Sequence, residues 1–279
     1  MLFTNDTLYV TDLDGTLLGA EPKIPPQAVE QLNQMLDAGL CFTVATARSW
    51  SSAEPLVRQL RIHHPVVAYN GAFLIDPVTG EALDRCLFRQ EQMERIADVF
   101  VRGDIWPMVY AEIEGRQKVS WVKAHQHAGI TRYARSRAGD PRLNPVESLQ
   151  QLFLGDVFYI SALGKKEALE HLVEPLMELP FIHVNFMADS YDLTEYWLEV
   201  SRADATKAIG VSKLRTLTGI DKIVCFGDNL NDIPMFQVAD ECYAVANARQ
   251  ELKDIATGVI GSNLEMGVPA FLKTRAAMC

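Results

Sequence analysis

Two short segments of the chain, far apart along the sequence, each contain two aspartates among small polar residues. They are Asp12-Leu13-Asp14-Gly15-Thr16 and Gly227-Asp228-Asn229-Leu230-Asn231-Asp232. If the fold brings these carboxylates together, they repel one another unless a cation lies among them, and oxygen ligands of this type suit Mg²⁺. Lys207 could add a fixed positive charge, and loop amides could complete a place for a phosphate. The residue types therefore predict a magnesium site that binds a phosphoryl group.

Each polar segment follows an apolar run that is typical of a β-strand. The run at residues 8–11 ends at Asp12, the run at 40–45 ends at Thr46-Ala47-Arg48, the run at 65–68 ends near Asn70-Gly71, and the run at 222–226 ends at Gly227. Helical spacing of apolar residues separates several of these runs, which predicts a doubly wound α/β fold with a parallel sheet. Ligands bind at the carboxyl ends of strands in such sheets, so the polar segments should meet there.

The pattern changes after Asn70-Gly71. Strand pairs alternate with helices until about residue 190, and the strand-then-helix order then returns. We expect a Rossmann-like core formed by residues 1–79 and 191–279, with an α+β unit inserted at 80–190.

Composition excludes several classes of protein. The 279 residues are 48% hydrophobic and carry a net charge of −10, which disfavours nucleic acid and anionic lipid as partners. No apolar run is long enough for a membrane span, and the N-terminus lacks the basic and apolar regions of a signal peptide. The five cysteines are scattered and show no Cys-x-x-Cys pair, so a reducing cytoplasm is the expected location. The sequence makes no prediction of oligomeric state.

The motifs resemble those of the haloacid dehalogenase-like hydrolases, and within them the Cof-type sugar phosphatases with a type IIB cap. Residues 12–17 match the first motif of this family and residues 227–232 match the fourth. Thr46 stands where the second motif has its threonine, and Lys207 matches the lysine of the third. The resemblance covers most of the chain, and it implies a phosphatase that uses Mg²⁺ and acts on a small phosphorylated metabolite such as a sugar phosphate. It also implies that residues 1–79 and 191–279 are the catalytic core and that the insertion at 80–190 is a cap domain that determines substrate specificity.

The resemblance also implies the catalytic roles. Asp12 would be the nucleophile that forms an aspartyl-phosphate, and Asp14 would be the general acid and base. Mg²⁺ would be bound by the side chains of Asp12 and Asp228 and by the backbone carbonyl of Asp14.

The remaining motif residues would bind the phosphoryl oxygens. Thr46, the Ala47 amide, Lys207 and Asn231 are implied to do so, with Thr46 and Lys207 counted among the catalytic residues. Asp232 would orient Lys207 or a metal-bound water.

Two positions depart from the family pattern, and the roles of three other residues are left open. Ala47 and Ala208 replace glycines that usually follow the motif threonine and lysine, although neither change removes a catalytic group. Lys213 is a rival for the role given to Lys207. Arg48 and Asn70 end neighbouring strands and are candidate substrate contacts, although Arg48 could equally be a structural ion-pair partner.

Two other functions are compatible with the same motifs. A phosphomutase on this scaffold would share Asp12, Asp14 and the metal site but protect its phosphoenzyme from water. A non-catalytic phosphosugar-binding protein would keep the fold, although its intact acidic residues argue against that hypothesis.

Overall fold

The apolar runs of the sequence form the strands of three sheets. The computed structural model describes residues 6–189 and 192–276. The strands are β1 (Thr7–Thr11), β2 (Cys41–Val44), β3 (Val66–Ala68), β4 (Phe73–Ile75), β5 (Ala82–Arg85), β6 (Met108–Ile113), β7 (Arg116–Val122), β8 (Leu143–Val146), β9 (Asp156–Lys165), β10 (Ile182–Ala188), β11 (Glu195–Arg202), β12 (Lys222–Gly227), β13 (Glu241–Val245) and β14 (Gly258–Ile260).

Helices separate most of the strands. They are α1 (Pro26–Asp37), α2 (Trp50–Val57), α3 (Gln90–Arg102), α4 (Ala128–Ser136), α5 (Leu149–Leu152), α6 (Lys166–Leu169), α7 (Val173–Met177), α8 (Lys207–Thr218), α9 (Ile233–Val238), α10 (Gln250–Lys253) and α11 (Gly267–Ala276). Among the described residues, no helix has the length and apolar character needed to cross a membrane.

The chain divides into two units. One unit runs up to Arg85 and resumes at Ala205, and the other runs from Cys86 to Asp204. In the first unit, five parallel strands form a sheet in the order β14-β13-β12-β1-β2. With β1 between β12 and β2, the strand order reverses there, as in doubly wound folds. The predicted α/β fold class is confirmed.

Strand register places the two acidic segments side by side. Thr11 in β1 lies opposite Phe226 in β12, and the Asp12 amide donates a hydrogen bond to the Phe226 carbonyl at 3.0 Å. Both strands are apolar and almost completely buried, as expected for strands covered on both faces. The residues after Thr11 and Phe226 therefore leave the sheet at the same edge.

Strand β3 only partly continues this sheet. A single parallel bridge joins Ala45 to Val67, and the Thr46 amide donates to the Val67 carbonyl at 2.9 Å. Beyond this bridge, β3, β4 and β5 form a small antiparallel sheet. Thr46 is thereby fixed between β2 and β3.

The second unit contains a six-stranded sheet in the order β10-β11-β9-β6-β7-β8, antiparallel except for the β7–β8 pair. Its hydrophobic core includes Ile96 and Phe100 of α3 and Leu176 of α7, packed with Leu198 and Val200 of β11. This unit has the α+β character that the sequence predicts for the insertion.

The extent of the second unit differs from the prediction. The sequence placed the end of the insertion between residues 190 and 191, a junction that lies outside the described residues. Strand β11, from Glu195 to Arg202, pairs with β9 and β10, and its alternate apolar residues belong to the core of the second unit. The contacts therefore divide the chain at Arg85/Cys86 and Asp204/Ala205 rather than at 79/80 and 190/191.

A close backbone approach fixes the start of helix α8. Gly71 has φ +105°, and a Cβ at this position would lie 2.1 Å from the carbonyl oxygen of Thr206, the residue before Lys207. Backbone atoms cannot move aside as a flexible side chain can, so only glycine fits. Gly219, after the same helix, also has positive φ (+68°), but no atom of residues 6–189 or 192–276 outside its own neighbourhood lies within 4 Å of its Cβ position.

We expect Gly71→Ala to reduce the free energy of unfolding by about 3 kcal/mol or more, because it combines backbone strain with a clash. Gly219→Ala should cost only about 1 kcal/mol, since the strain acts alone. Urea denaturation of both variants measures the difference. Equal losses would contradict the close approach of Gly71 to Thr206.

Candidate active site

The candidate site lies where β1 and β12 end and α8 begins. Lys207 is the first residue of α8, and Thr206 caps the helix by accepting a hydrogen bond from the Ile209 amide at 3.3 Å. Gly210, one turn later, packs closely on β3, since a Cβ there would lie 2.5 Å from Val67. These contacts hold the first turn of α8 beside the sheet, with the Lys207 side chain directed toward β1.

Lys207 connects the two acidic segments. Its Nζ donates to Asp12 Oδ1 at 2.6 Å and to Asp232 Oδ1 at 2.7 Å. Lys207 and Asp232 are completely buried, and Asp12 is 5% exposed. Buried charges of this kind are stable only when paired, so each of the three groups depends on the others.

Asp232 also organises the loop after β12. Its second carboxylate oxygen accepts from the amides of Asp228 and Asn229 at 3.0 and 3.1 Å. Asp228 in turn accepts a hydrogen bond from the Thr16 hydroxyl at 3.1 Å. The side chain of Asp228 is therefore directed toward the loop that follows β1.

Gly15 is required for this approach of the two loops. Its φ is +74°, and a Cβ at this position would lie 2.2 Å from Asp228 Oδ2. The Asn247 side chain fixes the same loop by donating to the Gly15 carbonyl at 2.8 Å. Sequence reasoning missed Asn247, although its place just after the end of β13 was an available signal.

The cluster carries an excess of negative charge. Ligand oxygens of Asp12, Asp228 and Asp232 lie within 4.8 Å of one another, and Lys207 supplies one compensating charge. Burial raises the pKa of Asp12 to about 7, although the charge of Lys207 opposes this shift. Burial and the charge of Asp232 raise the pKa of Asp228 to about 6. For Lys207, the charges of Asp12 and Asp232 outweigh burial and raise the pKa, so the ammonium stays charged.

This donor set fits a hard divalent cation. Carboxylate oxygens are the ligands that Mg²⁺ prefers, and three carboxylates against one ammonium leave two negative charges to be neutralised. The resemblance implied the side chains of Asp12 and Asp228 and the backbone carbonyl of Asp14 as ligands. Both of these side chains belong to the cluster, and its third carboxylate is that of Asp232. The oxygens of Asp232 already accept hydrogen bonds from Lys207 and two amides, so Asp12 and Asp228 have the more available oxygens.

Asp14 has a different environment from Asp12. Its carboxylate accepts two hydrogen bonds from Arg48, from Nε at 2.7 Å and from Nη2 at 2.6 Å. The Asp14 side chain is 56% exposed and that of Arg48 22%. Of the two roles left open for Arg48, the ion pair is therefore present in the structure.

Thr46 and Asn70 lie together at the ends of β2 and β3. Thr46 is completely buried, and its Oγ1 accepts from the Arg48 amide at 3.1 Å. The Asn70 amide donates to the Thr46 carbonyl at 2.9 Å, and Asn70 has left-handed backbone angles. Its side-chain Oδ1 is buried and has no hydrogen-bond partner within the described part of the chain.

Two predicted phosphate-binding residues lie on the surface. Ala47, next to Thr46, is exposed, and so is Asn231, which belongs to a 3₁₀ turn over Leu230–Asp232. The rival lysine, Lys213, instead forms a surface ion pair with Asp84 of β5.

A buried lysine between aspartates, at the carboxyl edge of a parallel sheet, is typical of the ligand-binding sites of α/β enzymes. A family profile described as haloacid dehalogenase-like hydrolase matches residues 9–272. The chain belongs to this family, as the resemblance of its motifs implied. The enzyme class predicted from the sequence, a phosphatase, is confirmed by this membership and by the phosphatases among its relatives.

Curated relatives align over nearly the whole chain. The 5-amino-6-(5-phospho-D-ribitylamino)uracil phosphatase YwtE of Bacillus subtilis is 29% identical, and the alignment covers 94% of this chain and 95% of the relative. The pyridoxal phosphate phosphatase YbhA of Escherichia coli is 24% identical with the same coverage. The crystal structure of TM0651 from Thermotoga maritima is similar in fold, with a TM-score of 0.79 at 24% identity and 96% coverage of both chains.

We expect Lys207→Met to lower the free energy of unfolding by about 3–5 kcal/mol at neutral pH, because it leaves Asp12 and Asp232 buried without their counter-charge. Lys213→Met is the matched control and should cost less than about 1 kcal/mol, since Lys213 is partly exposed in a surface pair. Urea denaturation without divalent cations measures both variants. Similar losses in the two would show that Lys207 does not hold the cluster together.

Proposed function

We propose that the protein is a Mg²⁺-dependent phosphatase that removes the phosphate of a small phosphorylated metabolite through an aspartyl-phosphate. The observation that carries this proposal is the Asp12 carboxylate, buried at the carboxyl end of β1 and held by Lys207 beside Asp228. One oxygen of Asp12 bonds Lys207, which leaves the other for attack on phosphorus.

In the first half of the reaction, an oxygen of Asp12 forms a bond to phosphorus as the ester P–O bond breaks. The leaving alkoxide takes a proton from Asp14, which is exposed enough to exchange protons with solvent. Splitting one displacement into two steps lowers the barrier of each. The Asp12 side chain moves little in this step because Lys207 donates a hydrogen bond to its other carboxylate oxygen.

In the second half, a water molecule attacks the same phosphorus and gives a proton to Asp14. The bond between phosphorus and Asp12 breaks, which releases inorganic phosphate and restores both carboxyl groups. Arg48 is placed to orient Asp14 through two hydrogen bonds and to neutralise it between the steps. Release of this pair would allow Arg48 to bind the substrate as predicted from the sequence.

Mg²⁺ would be held by the side chains of Asp12 and Asp228, with the backbone carbonyl of Asp14 as the third protein ligand implied by the family motif. When bound, it neutralises charge on the phosphoryl oxygens and lets an anionic nucleophile approach an anionic substrate. The charge excess among Asp12, Asp228 and Asp232 supports this assignment.

We assign phosphate binding to Thr46, the Ala47 amide, Lys207 and Asn231, with Asp232 orienting Lys207. Support comes from the Lys207–Asp232 bond and from the position of Thr46 at the end of β2. Asn70 is proposed as a substrate contact because no described residue donates a hydrogen bond to its buried Oδ1, which costs about 1–3 kcal/mol until a donor is supplied.

For the substrate, we propose a phosphorylated sugar or a similar small phosphate ester. The relatives named above act on a phosphoribitylamino-uracil and on pyridoxal phosphate, which are both of this size and charge. We propose that the inserted unit is a cap that selects the leaving group and limits water during the first step. The net charge of −10 supports a small-molecule substrate over nucleic acid or membrane lipid.

Removal of divalent cations tests the proposed activity. We expect exhaustive chelation to reduce phosphate release at least 100-fold, Mg²⁺ to restore it, and Ca²⁺ to inhibit, because the larger coordination sphere of Ca²⁺ misplaces the nucleophile. Phosphate release is measured with a panel of sugar phosphates, nucleotides and pyridoxal phosphate. Asp12→Asn provides the background without a nucleophile, and activity that survives chelation undiminished would contradict the metal role.

A comparison of two substrates tests the role of Asp14. Asp14→Asn should reduce hydrolysis of a sugar phosphate far more than that of 4-nitrophenyl phosphate, whose leaving group needs no proton. Asp37→Asn is the matched control, since Asp37 is an exposed aspartate that also pairs with an arginine, Arg61. Equal losses on both substrates would show that Asp14 is not the general acid.

A further inference from the structure

The six-stranded sheet of the second unit has an edge strand without the charges, prolines and bulges that commonly prevent strand pairing. Strand β10 (Ile182–Ala188) has seven residues without proline, glycine, Lys, Arg, Asp or Glu, and its pairing with β11 has no bulge. Natural edge strands are commonly shortened, charged or interrupted by proline. Three other edge strands in the described part of the chain do have such features: Pro145 in β8, Asp84 and Arg85 in β5, and a length of three residues in β14.

The register with β11 shows which backbone amides and carbonyls of β10 face away from β11. Ala203 donates to the Phe181 carbonyl at 3.0 Å, and Asp189 donates to the Glu195 carbonyl at 2.8 Å. Hydrogen-bonded pairs alternate in an antiparallel ladder, so the odd-numbered residues of β10 bond β11. The amides and carbonyls of Val184, Phe186 and Ala188 therefore point away from the sheet.

We propose that β10 pairs with β10 of a second copy of this chain, antiparallel and centred on Asn185, to give a two-fold symmetric dimer with a continuous sheet. In this register, Val184 lies opposite Phe186 of the second copy, twice by symmetry. Aromatic and β-branched side chains form favourable cross-strand pairs. Val184 and Phe186 pack on the core of the second unit but stay partly exposed, so pairing buries them further.

The charge pattern favours a copy of the same strand over an unrelated partner. His183 lies opposite Met187 of the second copy, both side chains are exposed, and no carboxylate or ammonium of the strand faces another. The rest of the chain, with a net charge of −10, repels its own copies, so an uncharged edge is where two copies can meet. Such a contact between identical patches is typical of symmetric dimers.

The expected dimer is weak. The strand is about 23 Å long at ~3.3 Å per residue. One strand pair buries less than the roughly 1,200 Å² of a standard interface. A dissociation constant in the micromolar range is therefore expected.

Sedimentation velocity of the full chain between about 1 and 200 µM at neutral pH tests this proposal. The wild type should change from monomer to dimer across this range. His183→Lys with Met187→Lys should raise the dissociation constant at least tenfold, because the proposed register places the lysines opposite each other. His183→Lys with Met187→Glu should lower it several-fold, because the same register then pairs opposite charges.

Two controls separate strand pairing from general charge effects. The two-lysine variant brings the net charge closer to zero, so it would strengthen association that depended on overall charge alone. Met177→Lys adds a charge at a residue 69% exposed on α7 and should leave the dissociation constant unchanged. A wild type that stays monomeric at 200 µM, or two double variants that associate equally, would overturn the proposal.

Discussion

One buried ammonium group joins the loops that follow β1 and β12 in the first unit. Lys207 reaches from the start of α8 to Asp12 after β1 and Asp232 after β12, and all three side chains are buried. Moving any one of these charges from water costs several kcal/mol, so the cluster is stable only when all three occupy their places together. The parallel register of β1 and β12 and the packing of α8 on β3 are the conditions that allow this arrangement.

Glycines let these elements approach one another closely. Gly71 admits the carbonyl of Thr206 beside the turn after β3, and Gly15 admits the carboxylate of Asp228 beside the loop after β1. Both have positive φ, which side-chain-bearing residues rarely adopt. The geometry of the acidic cluster therefore depends on the absence of two Cβ atoms as much as on the charged side chains.

The first motif places two aspartates in contrasting environments within three residues. Asp12 is buried at the end of a strand and has a fixed ammonium partner, whereas Asp14 lies on the surface and pairs with Arg48. The roles proposed for Asp12 and Asp14 need this difference, because a nucleophile must be held in one position and a group that exchanges protons must reach solvent. The end of a buried strand followed by an open turn provides both environments from one short segment.

The α/β fold class, the family and the segments that carry the acidic residues could all be predicted from the sequence. These features depend on local patterns: apolar runs that end in aspartates, glycine turns and helical spacing. Sequence also indicated an α+β insertion, because strand pairs and helices have different periods. It placed Trp197–Val200 outside that insertion, since nothing local shows which sheet a strand will join.

Which charged groups meet could not be predicted from the sequence and follows from the tertiary structure. Lys207 and Lys213 lie on the same helix, and burial between Asp12 and Asp232 distinguishes the first, while the second pairs with Asp84 at the surface. The Arg48–Asp14 pair, the contact of Asn247 with Gly15 and the place of β11 in the second sheet likewise join distant residues. Such contacts depend on strand order and register, which short-range patterns of residue type do not specify.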